Sequence, residues 1–352
     1  MASALEIVHV DFSPVWRGGQ QQLLLLAREL RARGCRQTVV ARPGVVMQRM
    51  QAEEGWEVMA PGASAIGRAR HADVVHGHDG HAHNWLLRAT WNHHGRRVLS
   101  RRVAFPIRGM WSRWKYRHLD LAITVSAFVR AQVEAAGMAR ERITVIPDGI
   151  ALNELPAAGW ARQRVRAHCG LDEATPCLVC LGALTAEKGV GDAIAALGEL
   201  APPTRLLVPS SGPLLRTLQQ QARALGCAER VRFGGGEAFS AAEWVAAADV
   251  LLMPSRAEGL GSAALLAMAL ERPVVATRAG GIPELIEDEV TGLLAPAGAA
   301  SALAACCRRL LQDAALAARL VAAAREQVAS RYSAAQVGAA TLAAYETAVG
   351  AP

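Results

Sequence analysis

The segment from Pro254 to Pro296 constrains the fold more than any other part of the chain. It contains a carboxylate, Glu258, then Gly259 and Gly261, and from Ser262 the run SAALLAMAL, which is apolar on every side. A run without a polar face predicts a buried helix. The glycines before it form a loop in which the N–H groups of the first helical turn stay free. Because these amides and the helix dipole both favour negative charge, the segment predicts an anion-binding site.

A second glycine turn follows the next predicted strand, Arg272 to Thr277 (RPVVAT). It runs from Ala279 to Glu284 (AGGIPE), and Pro283 is positioned to begin another helix. In open α/β sheets, ligands bind where such turns follow neighbouring parallel strands. We therefore expect both turns to lie at one ligand-binding edge.

Short apolar strands alternate with helical patterns along most of the chain. The predicted strands are 7–10, 38–41, 73–76, 97–100, 121–125 and 143–146, then 178–182, 205–208, 230–234, 250–253 and 273–276. This alternation predicts an α/β fold with two doubly wound parallel sheets. A chain of 352 residues, 52% of them hydrophobic, is long enough for two cores. The pattern lapses between Pro147 and Thr175, and we predict a first domain over 1–165 and a second over 166–332.

The ordered motifs P-S-x-x-E-G-x-G, A-M-A, P-V-V-A-T, G-G-I-P-E and T-G-L-L resemble the carboxyl-terminal signature of family 4 glycosyltransferases. The resemblance implies the GT-B fold, in which two Rossmann-like domains face a central cleft. It also implies a retaining enzyme that takes a nucleotide-diphosphate sugar as co-substrate and needs no cofactor. In this family the last helix returns to the first domain, which assigns 333–352 there.

Lys188, in LGALTAEKG, follows the first predicted strand of the second domain and precedes a helix. Its ammonium is expected over the same sheet edge as Glu258, where it can stabilise a departing diphosphate. We predict Lys188 and Glu258 as catalytic residues. By resemblance, Glu258 contacts the donor sugar, and backbone amides contact the diphosphate. The donor-binding set is therefore Gly18, Gly19, Lys188, Arg256, Glu258, Leu260, Gly261, Ser262, Gly281 and Ile282.

The chain departs from the family pattern at two positions. An arginine usually precedes the lysine by five residues, where this chain has Ala183, and a second glutamate usually follows the first by eight, where it has Leu266. Arg256 and Arg278 flank the glycine turns and are candidates to replace the lost charge. The alternatives are weaker donor binding or a protein that binds sugar nucleotides with weak or no turnover.

Polar residues and glycines at strand ends of the first domain are candidates for its contacts with a ligand. Gly18 and Gly19 precede a helix, which lets backbone approach a ligand. The stretch HGHDGHAH, residues 76–83, suggests a hydrolase-type metal site, but an HxHxDH pattern would need its aspartate at Gly80. We predict no metal site, and place Asp79 and His81 near the acceptor instead.

Ser100-Arg101-Arg102 ends the next strand, where many members of the family have a histidine near the reacting carbon. Arginine is no general base near neutral pH. We therefore predict that Arg102 stabilises charge as a catalytic residue and that Arg101 lies on the acceptor side.

The stretch from Gly80 to Leu119 is basic and aromatic. It has no acidic residue, nine arginines and lysines, and the tryptophans Trp85, Trp91, Trp111 and Trp114. Such a surface favours contact with an anionic membrane or a phosphorylated glycolipid acceptor. The alternative is that some tryptophans are core residues and the arginines are merely solvated. Nucleic acid would also be attracted, but no nucleic-acid-binding signature accompanies the charge, and we predict no such partner.

Other features bound the class of protein. No segment is long and apolar enough to span a membrane, and Glu6, Asp11 and Arg17 interrupt the amino terminus, so we expect a cytoplasmic protein that can associate with the inner face of the membrane. The seven cysteines suggest no disulfide framework, and we interpret Cys177 and Cys180 as core residues of a strand rather than a redox or zinc pair. No D-x-D is present, which agrees with a metal-independent transferase acting on a glycolipid or lipopolysaccharide acceptor.

Overall fold

The computed structural model describes residues 5–53, 56–90 and 95–350. The strands of these residues are β1 (Glu6–Asp11), β2 (Arg36–Ala41), β3 (Glu57–Met59), β4 (Val74–Gly77), β5 (Arg96–Arg101), β6 (Leu121–Thr124), β7 (Ile143–Val145), β8 (Cys177–Val179), β9 (Arg205–Val208), β10 (Val231–Phe233), β11 (Val250–Met253), β12 (Val274–Thr277) and β13 (Leu293–Ala295).

The helices alternate with these strands. They are α1 (Gly18–Ala32), α2 (Val45–Gln51), α3 (Ala63–His71), α4 (Gly80–Ala89), α5 (Met110–Arg117), α6 (Ala127–Ala135), α7 (Ala158–His168), α8 (Val190–Gly198), α9 (Leu215–Ala224), α10 (Ala241–Ala246), α11 (Ser262–Ala269), α12 (Ile282–Leu285), α13 (Ala300–Gln312), α14 (Ala314–Arg331) and α15 (Ala334–Gly350). None of these helices is both long and apolar enough to cross a bilayer.

The chain divides into two units, each built on a wholly parallel sheet. In the first, the strand order is β3-β2-β1-β4-β5-β6-β7, and in the second it is β10-β9-β8-β11-β12-β13. Helices cover the sheets, so the central strands are buried and apolar, as parallel sheets require. The prediction of two Rossmann-like α/β domains is confirmed. The sequence prediction missed the edge strands β3 and β13, because three residues carry too little pattern.

The first unit comprises residues 1–149 and 332–352, and the second comprises residues 150–331. The predicted boundary at 165 falls later than this division, because α7 belongs to the second unit. Arg166 of α7 is fully buried there and donates to the carbonyls of Asp172 and Ala247.

The last helix, α15, is part of the first unit. Its Tyr345 is fully buried and its hydroxyl lies 2.6 Å from Nδ1 of His76 on β4. Val337 and Tyr345 also pack in one apolar cluster with Ile7 of β1 and Leu30 of α1. A distant segment of the sequence thus completes the first core.

The second unit buries α11 as its apolar sequence predicts. Ala264, Leu265, Ala267 and Met268 of this helix are all buried. Cys177 and Cys180 are also buried, and burial raises the pKa of both thiols to about 12. Such thiols stay protonated near neutral pH, and their interpretation as core residues agrees with this burial.

Candidate functional site

The second unit brings Lys188 and Glu258 together. The Lys188 ammonium donates to Oε2 of Glu258 over 2.5 Å, and the hydroxyl of Ser255 lies 3.4 Å from the same oxygen. The Lys188 side chain is 28% exposed and the Glu258 side chain 16%. The ammonium has three N–H donors, so this pair leaves it able to bind a second anion.

Glycines give the lysine its position. Gly189 follows Lys188 with φ of +64°, and a Cβ at this position would lie 2.0 Å from the carbonyl oxygen of Pro254. Gly182 lies against the lysine stem, where a Cβ would be 3.3 Å from Cδ. Only glycine permits the turn after β8 to pass so close to the end of β11.

The second glycine turn holds the backbone of Glu258. The Gly281 N–H donates to the Glu258 carbonyl over 3.0 Å, and a Cβ on Gly280 would lie 2.0 Å from that carbonyl. The Ile282 N–H donates to the Ala279 carbonyl. The amides of Gly281 and Ile282 are therefore both occupied in this structure, and the Gly281 amide holds the backbone of Glu258.

The start of α11 has the free donors that an anion site needs. The N–H groups of Leu260, Gly261 and Ser262 donate to no acceptor within the described residues. Gly261 adopts φ of +117° and accepts from the Leu265 N–H through its carbonyl, which closes the first helical turn. This agrees with the predicted anion-binding character of the segment.

The two candidate replacements for the missing arginine are held by carboxylates. Arg256 donates to both oxygens of Asp192 over 2.9 and 3.1 Å, and this contact raises the pKa of Arg256. Arg278 donates to Asp288 over 2.5 Å. A donor phosphate would have to compete for either guanidinium, so Lys188 is the better placed cation.

In the first unit, three histidines form a buried network on the neighbouring strands β1 and β4 and at the residue after β4. His9 and His78 join through Nδ1 and Nε2 at 3.0 Å, and His9 Nε2 lies 2.9 Å from Oε1 of Gln37. His76 contacts Tyr345 and, at 2.8 Å, the hydroxyl of Ser100. Burial lowers the pKa of His9 to about 4 and lowers those of His76 and His78, so the rings are neutral near pH 7.

The donor set of His9, His76 and His78 could in principle hold a metal ion, since their nitrogens lie within 4.8 Å of one another. The hydrogen bonds argue otherwise. Of their six ring nitrogens, only Nδ1 of His78 has no partner among the described residues. A metal would have to break at least two existing bonds, so these residues fit a hydrogen-bonded network better.

Asp79 is the N-cap of α4 and also accepts a hydrogen bond from the loop after β1. Its Oδ1 accepts from the Ala82 N–H over 2.5 Å and its Oδ2 accepts from the Phe12 N–H over 2.6 Å. Both oxygens are thus occupied by backbone. In this structure Asp79 positions backbone, and its acceptor-side role stays a prediction.

Gly18 and Gly19 begin α1, as the predicted backbone approach requires. A Cβ on Gly19 would meet no atom within 4 Å among the described residues, so its surface is open. Next to them, Gln20 donates to Asp11 over 2.9 Å. Burial raises the pKa of Asp11 to about 6.

Arg101 and Arg102 point to different partners. Arg101 donates to the hydroxyl of Tyr116 over 2.9 Å and to the carbonyl of Phe105. Arg102 donates through Nε to Asp148 over 3.1 Å, and its buried Nη1 has no partner within the described residues. One N–H group of the Arg102 guanidinium is therefore buried and unsatisfied, and its role in stabilising charge stays a prediction.

An aromatic cavity of about 530 Å³ lies in the first unit. Trp111 and Trp114 stack in it with ring centroids 4.7 Å apart, and Phe12 packs edge-on to Trp85. Its lining residues are Phe12, Arg42, Pro61, His81, Asn84, Trp85, Leu87, Arg88, Trp111 and Trp114. It includes His81 but not Asp79 or Arg101. Aromatic faces beside hydroxyl-binding polar groups suit a saccharide ring.

Sequence reasoning missed His9 and Asp11. Both lie on β1, two residues apart, so they share one face of the strand. Polar residues in a strand that is otherwise apolar were the available signal, because a buried parallel strand normally excludes them. Trp91, counted with the aromatic stretch, lies outside the described residues.

Both halves of the chain match models of known families. The model described as Glycosyltransferase Family 4 matches residues 16–154, and the model described as Glycosyl transferases group 1 matches residues 175–313. The second match contains Lys188, Glu258 and both glycine turns.

Curated relatives are similar over part of their length. A GDP-mannose-dependent alpha-(1-6)-phosphatidylinositol monomannoside mannosyltransferase of Mycolicibacterium smegmatis is 36% identical over 205 residues, which is 55% of this chain and 53% of the relative. A 2-deoxystreptamine glucosyltransferase of Streptomyces kanamyceticus is 31% identical over 258 residues, 71% of this chain and 66% of the relative. The chain thus matches only about half of the mycobacterial protein.

Among solved structures, Anabaena HepE in complex with UDP and glucose superposes with a TM-score of 0.87 at 20% identity, over 97% of this chain and 100% of that one. The sucrose-phosphate synthase of Thermosynechococcus elongatus superposes with a TM-score of 0.78 at 20% identity, over 97% of this chain and 98% of that one. At this identity the likeness establishes the fold, which is GT-B.

Proposed function

The chain belongs to family 4 of the glycosyltransferases, and we propose that it moves a hexose or heptose from a nucleotide-diphosphate sugar to a cell-envelope glycolipid or lipopolysaccharide acceptor, with retention. The observation that carries the proposal is the Lys188–Glu258 pair. Glu258 of this pair lies two residues before Leu260, where the amides of Leu260, Gly261 and Ser262 are unpaired among the described residues.

In the proposed mechanism, the leaving diphosphate is bound by one positive charge and by backbone N–H groups. The Lys188 ammonium and the amides at the start of α11 bind the phosphoryl oxygens, and Glu258 contacts the donor sugar. These donors are fixed before reaction, so they stabilise charge as it develops with little reorganisation. A dedicated metal is then unnecessary, because the positive charge comes from an amine and a helix terminus.

The bond changes balance without a separate base. The bond between sugar C1 and the diphosphate oxygen breaks, and the acceptor oxygen forms its bond to C1 on the same face. The acceptor's proton passes to the departing diphosphate oxygen. Arg102 is predicted to stabilise charge, and as a guanidinium it transfers no proton near neutral pH.

The acceptor sugar is proposed to occupy the aromatic cavity of the first unit. Trp111 and Trp114 offer stacked faces, and His81 and Asn84 offer polar groups. A lipid-linked acceptor is favoured because the mycobacterial relative is named for a phosphatidylinositol monomannoside substrate. We propose that the reaction takes place in the cytoplasm, where the seven free thiols would remain reduced.

The test is nucleotide release from a panel of GDP- and UDP-sugars, with and without glycolipid acceptors, followed by NMR of the product's anomeric configuration. We expect one donor to release its nucleotide only when acceptor is present. The new glycosidic bond should have the same anomeric configuration as the donor sugar. Inversion of configuration would refute the mechanism, and absence of release with every pair would refute the transfer.

A second candidate is a protein that binds sugar nucleotides with weak or no turnover. Ala183 and Leu266 favour it, because a carboxylate bound to ribose hydroxyls contributes roughly 1.5–3 kcal/mol, and leucine cannot supply that contact. Calorimetry with the same panel distinguishes the two. Tight binding without release would support the second candidate.

A further inference from the structure

Four large apolar side chains are exposed within one short stretch of the first unit. Val103 is 45% exposed, Phe105 53%, Met110 89% and Trp111 64%. They lie in the loop after β5 and at the start of α5. A contiguous group of exposed apolar side chains is a common feature of surfaces that contact a protein or a membrane.

The same stretch is positively charged. Arg108 and Arg113 are exposed and make no ion pair with any carboxylate among residues 5–53, 56–90 and 95–350. No acidic residue lies between Gly80 and Leu119. Elsewhere in the structure many exposed arginines do pair, as Arg256 pairs with Asp192. This uncompensated positive charge would attract an anionic partner.

We propose that residues 103–113, which we call the apolar-basic patch, dock on an anionic phospholipid bilayer. Phe105, Met110 and Trp111 enter the interface between headgroups and acyl chains, and Arg108 and Arg113 bind lipid phosphates. Tryptophan and arginine are the side chains that suit this zone. α5 has only eight residues, so the contact is an interfacial one and does not span the bilayer.

The structure separates the tryptophans that the sequence grouped together. Trp85 and Trp114 are partly buried, and Trp114 stacks on Trp111 with its ring nearly parallel, at 11°. Only Trp111 belongs to the apolar-basic patch. Because Trp111 also lines the aromatic cavity, the docked patch would bring the headgroup region next to that cavity. A sugar carried on a lipid headgroup would then reach the cavity without leaving the membrane surface.

The docking does not depend on the transfer reaction proposed above, and it can be measured without donor or acceptor. The assay is sedimentation with sucrose-loaded vesicles of phosphatidylcholine alone or mixed equally with phosphatidylglycerol. We expect binding to the mixed vesicles and a weak signal with phosphatidylcholine alone. Equal binding to both compositions, or to neither, would overturn the proposal.

The decisive variant is the double substitution Phe105→Ser and Met110→Ser, which spares the cavity. It should lower the partition coefficient on mixed vesicles at least tenfold. The matched control is Trp160→Ser with Leu225→Ser, two exposed apolar residues of the second unit, which should bind as the parent does. Circular dichroism of each variant verifies folding, and parent-like binding by a folded F105S/M110S variant would refute the proposal.

The charge is tested separately by Arg108→Gln with Arg113→Gln. Each lost arginine should weaken binding to mixed vesicles by about fivefold and leave phosphatidylcholine binding unchanged. Light scattering of the parent and of F105S/M110S tests the other occupant, a second copy of the chain. A dimer that the double substitution converts to monomer, without any vesicle binding by the parent, would assign the patch to self-association instead.

Discussion

The Lys188 ammonium lies 2.5 Å from Oε2 of Glu258, although seventy residues separate the two in the chain. In the absence of donor, each charge is balanced by the other. Under the proposed function, an arriving diphosphate would meet an ammonium that is already oriented and partly desolvated. The sugar carried by that diphosphate would meet the carboxylate at the same place.

We predict that Lys188→Ala lowers kcat/KM for the nucleotide sugar by about 10- to 150-fold, since a charged hydrogen bond is worth about 1.5–3 kcal/mol. Steady-state kinetics and calorimetry with the bare nucleoside diphosphate measure the loss. Lys188→Arg should recover part of it, because it restores the charge with a different shape. Parent-like affinity and turnover in Lys188→Ala would remove the basis of the proposed function.

Glu258→Gln separates the two partners. It removes the counter-charge and leaves the side chain's size unchanged, so we expect bare nucleoside diphosphate to bind at least as tightly as in the parent. Turnover should fall, because the contact of Glu258 with the donor sugar is weakened. Calorimetry with UDP or GDP, alongside the release assay, gives both quantities. Weaker diphosphate binding in this variant would contradict the pairing described here.

Gly189→Ala should disrupt the Lys188 turn, because the new Cβ would lie 2.0 Å from the Pro254 carbonyl oxygen. Gly170→Ala is the matched control. Gly170 has φ of +69° against +64° for Gly189, and a Cβ there meets nothing within 4 Å among the described residues. The control should cost about 1–2 kcal/mol of unfolding free energy from backbone strain alone. Urea unfolding should show a larger loss for Gly189→Ala, together with lost diphosphate binding.

Arg166→Met should destabilise the second unit by about 3–5 kcal/mol, because it leaves buried partners unsatisfied. The side chain is 1% exposed and donates to the carbonyls of Asp172, Ala247 and Thr175. Arg164→Met is the control on the same helix, with a side chain that is 46% exposed, a salt bridge to Glu243 and cation–π contacts with Trp160 and Phe239. Its cost should stay below about 2 kcal/mol, because such contacts are weak at exposed sites. Equal unfolding midpoints for the two variants would contradict a role for Arg166 in anchoring α7.

Stability should fall as the pH is lowered from about 6.5 towards 4. Burial lowers the pKa of His9 and of His83 to about 4, and it also lowers the pKa values of His76 and His78. Between these limits the unfolded histidines bind protons that the folded ones do not, so acid favours unfolding. Asp11 opposes this, because its raised pKa, about 6, makes the folded state take up a proton, but it is one group against four.

His83→Phe tests that account. The variant removes one of the four titrating histidines, so the slope of unfolding free energy against pH should become shallower by at most about 1.4 kcal/mol per pH unit, in the middle of the window from pH 4 to 6.5. Urea unfolding at several pH values in this window measures it. An unchanged slope would show that His83 titrates normally in the folded chain.

The structural features that could be predicted well from the sequence are local ones. The apolar run after Gly261 could only be a buried helix, and the periodic apolar segments predicted the central strands of both sheets. These strands are buried on both faces, so their sequences are almost continuously apolar and can be recognised without tertiary information. The glycines beside Lys188 and Glu258 were visible for a similar reason, since a turn that needs positive φ selects the residue locally.

Only the tertiary structure decided which side chains meet. The pairing of Lys188 with Glu258, the occupation of both Asp79 oxygens by backbone and the contact of Tyr345 with His76 each join segments through folding of the chain. Exposure also depends on packing, which separates Trp111 from Trp85 within one aromatic stretch. Local propensity acts over a few residues, whereas contacts and solvent exposure are properties of the packed chain, so the sequence determined the elements and the packing decided the chemistry at their edges.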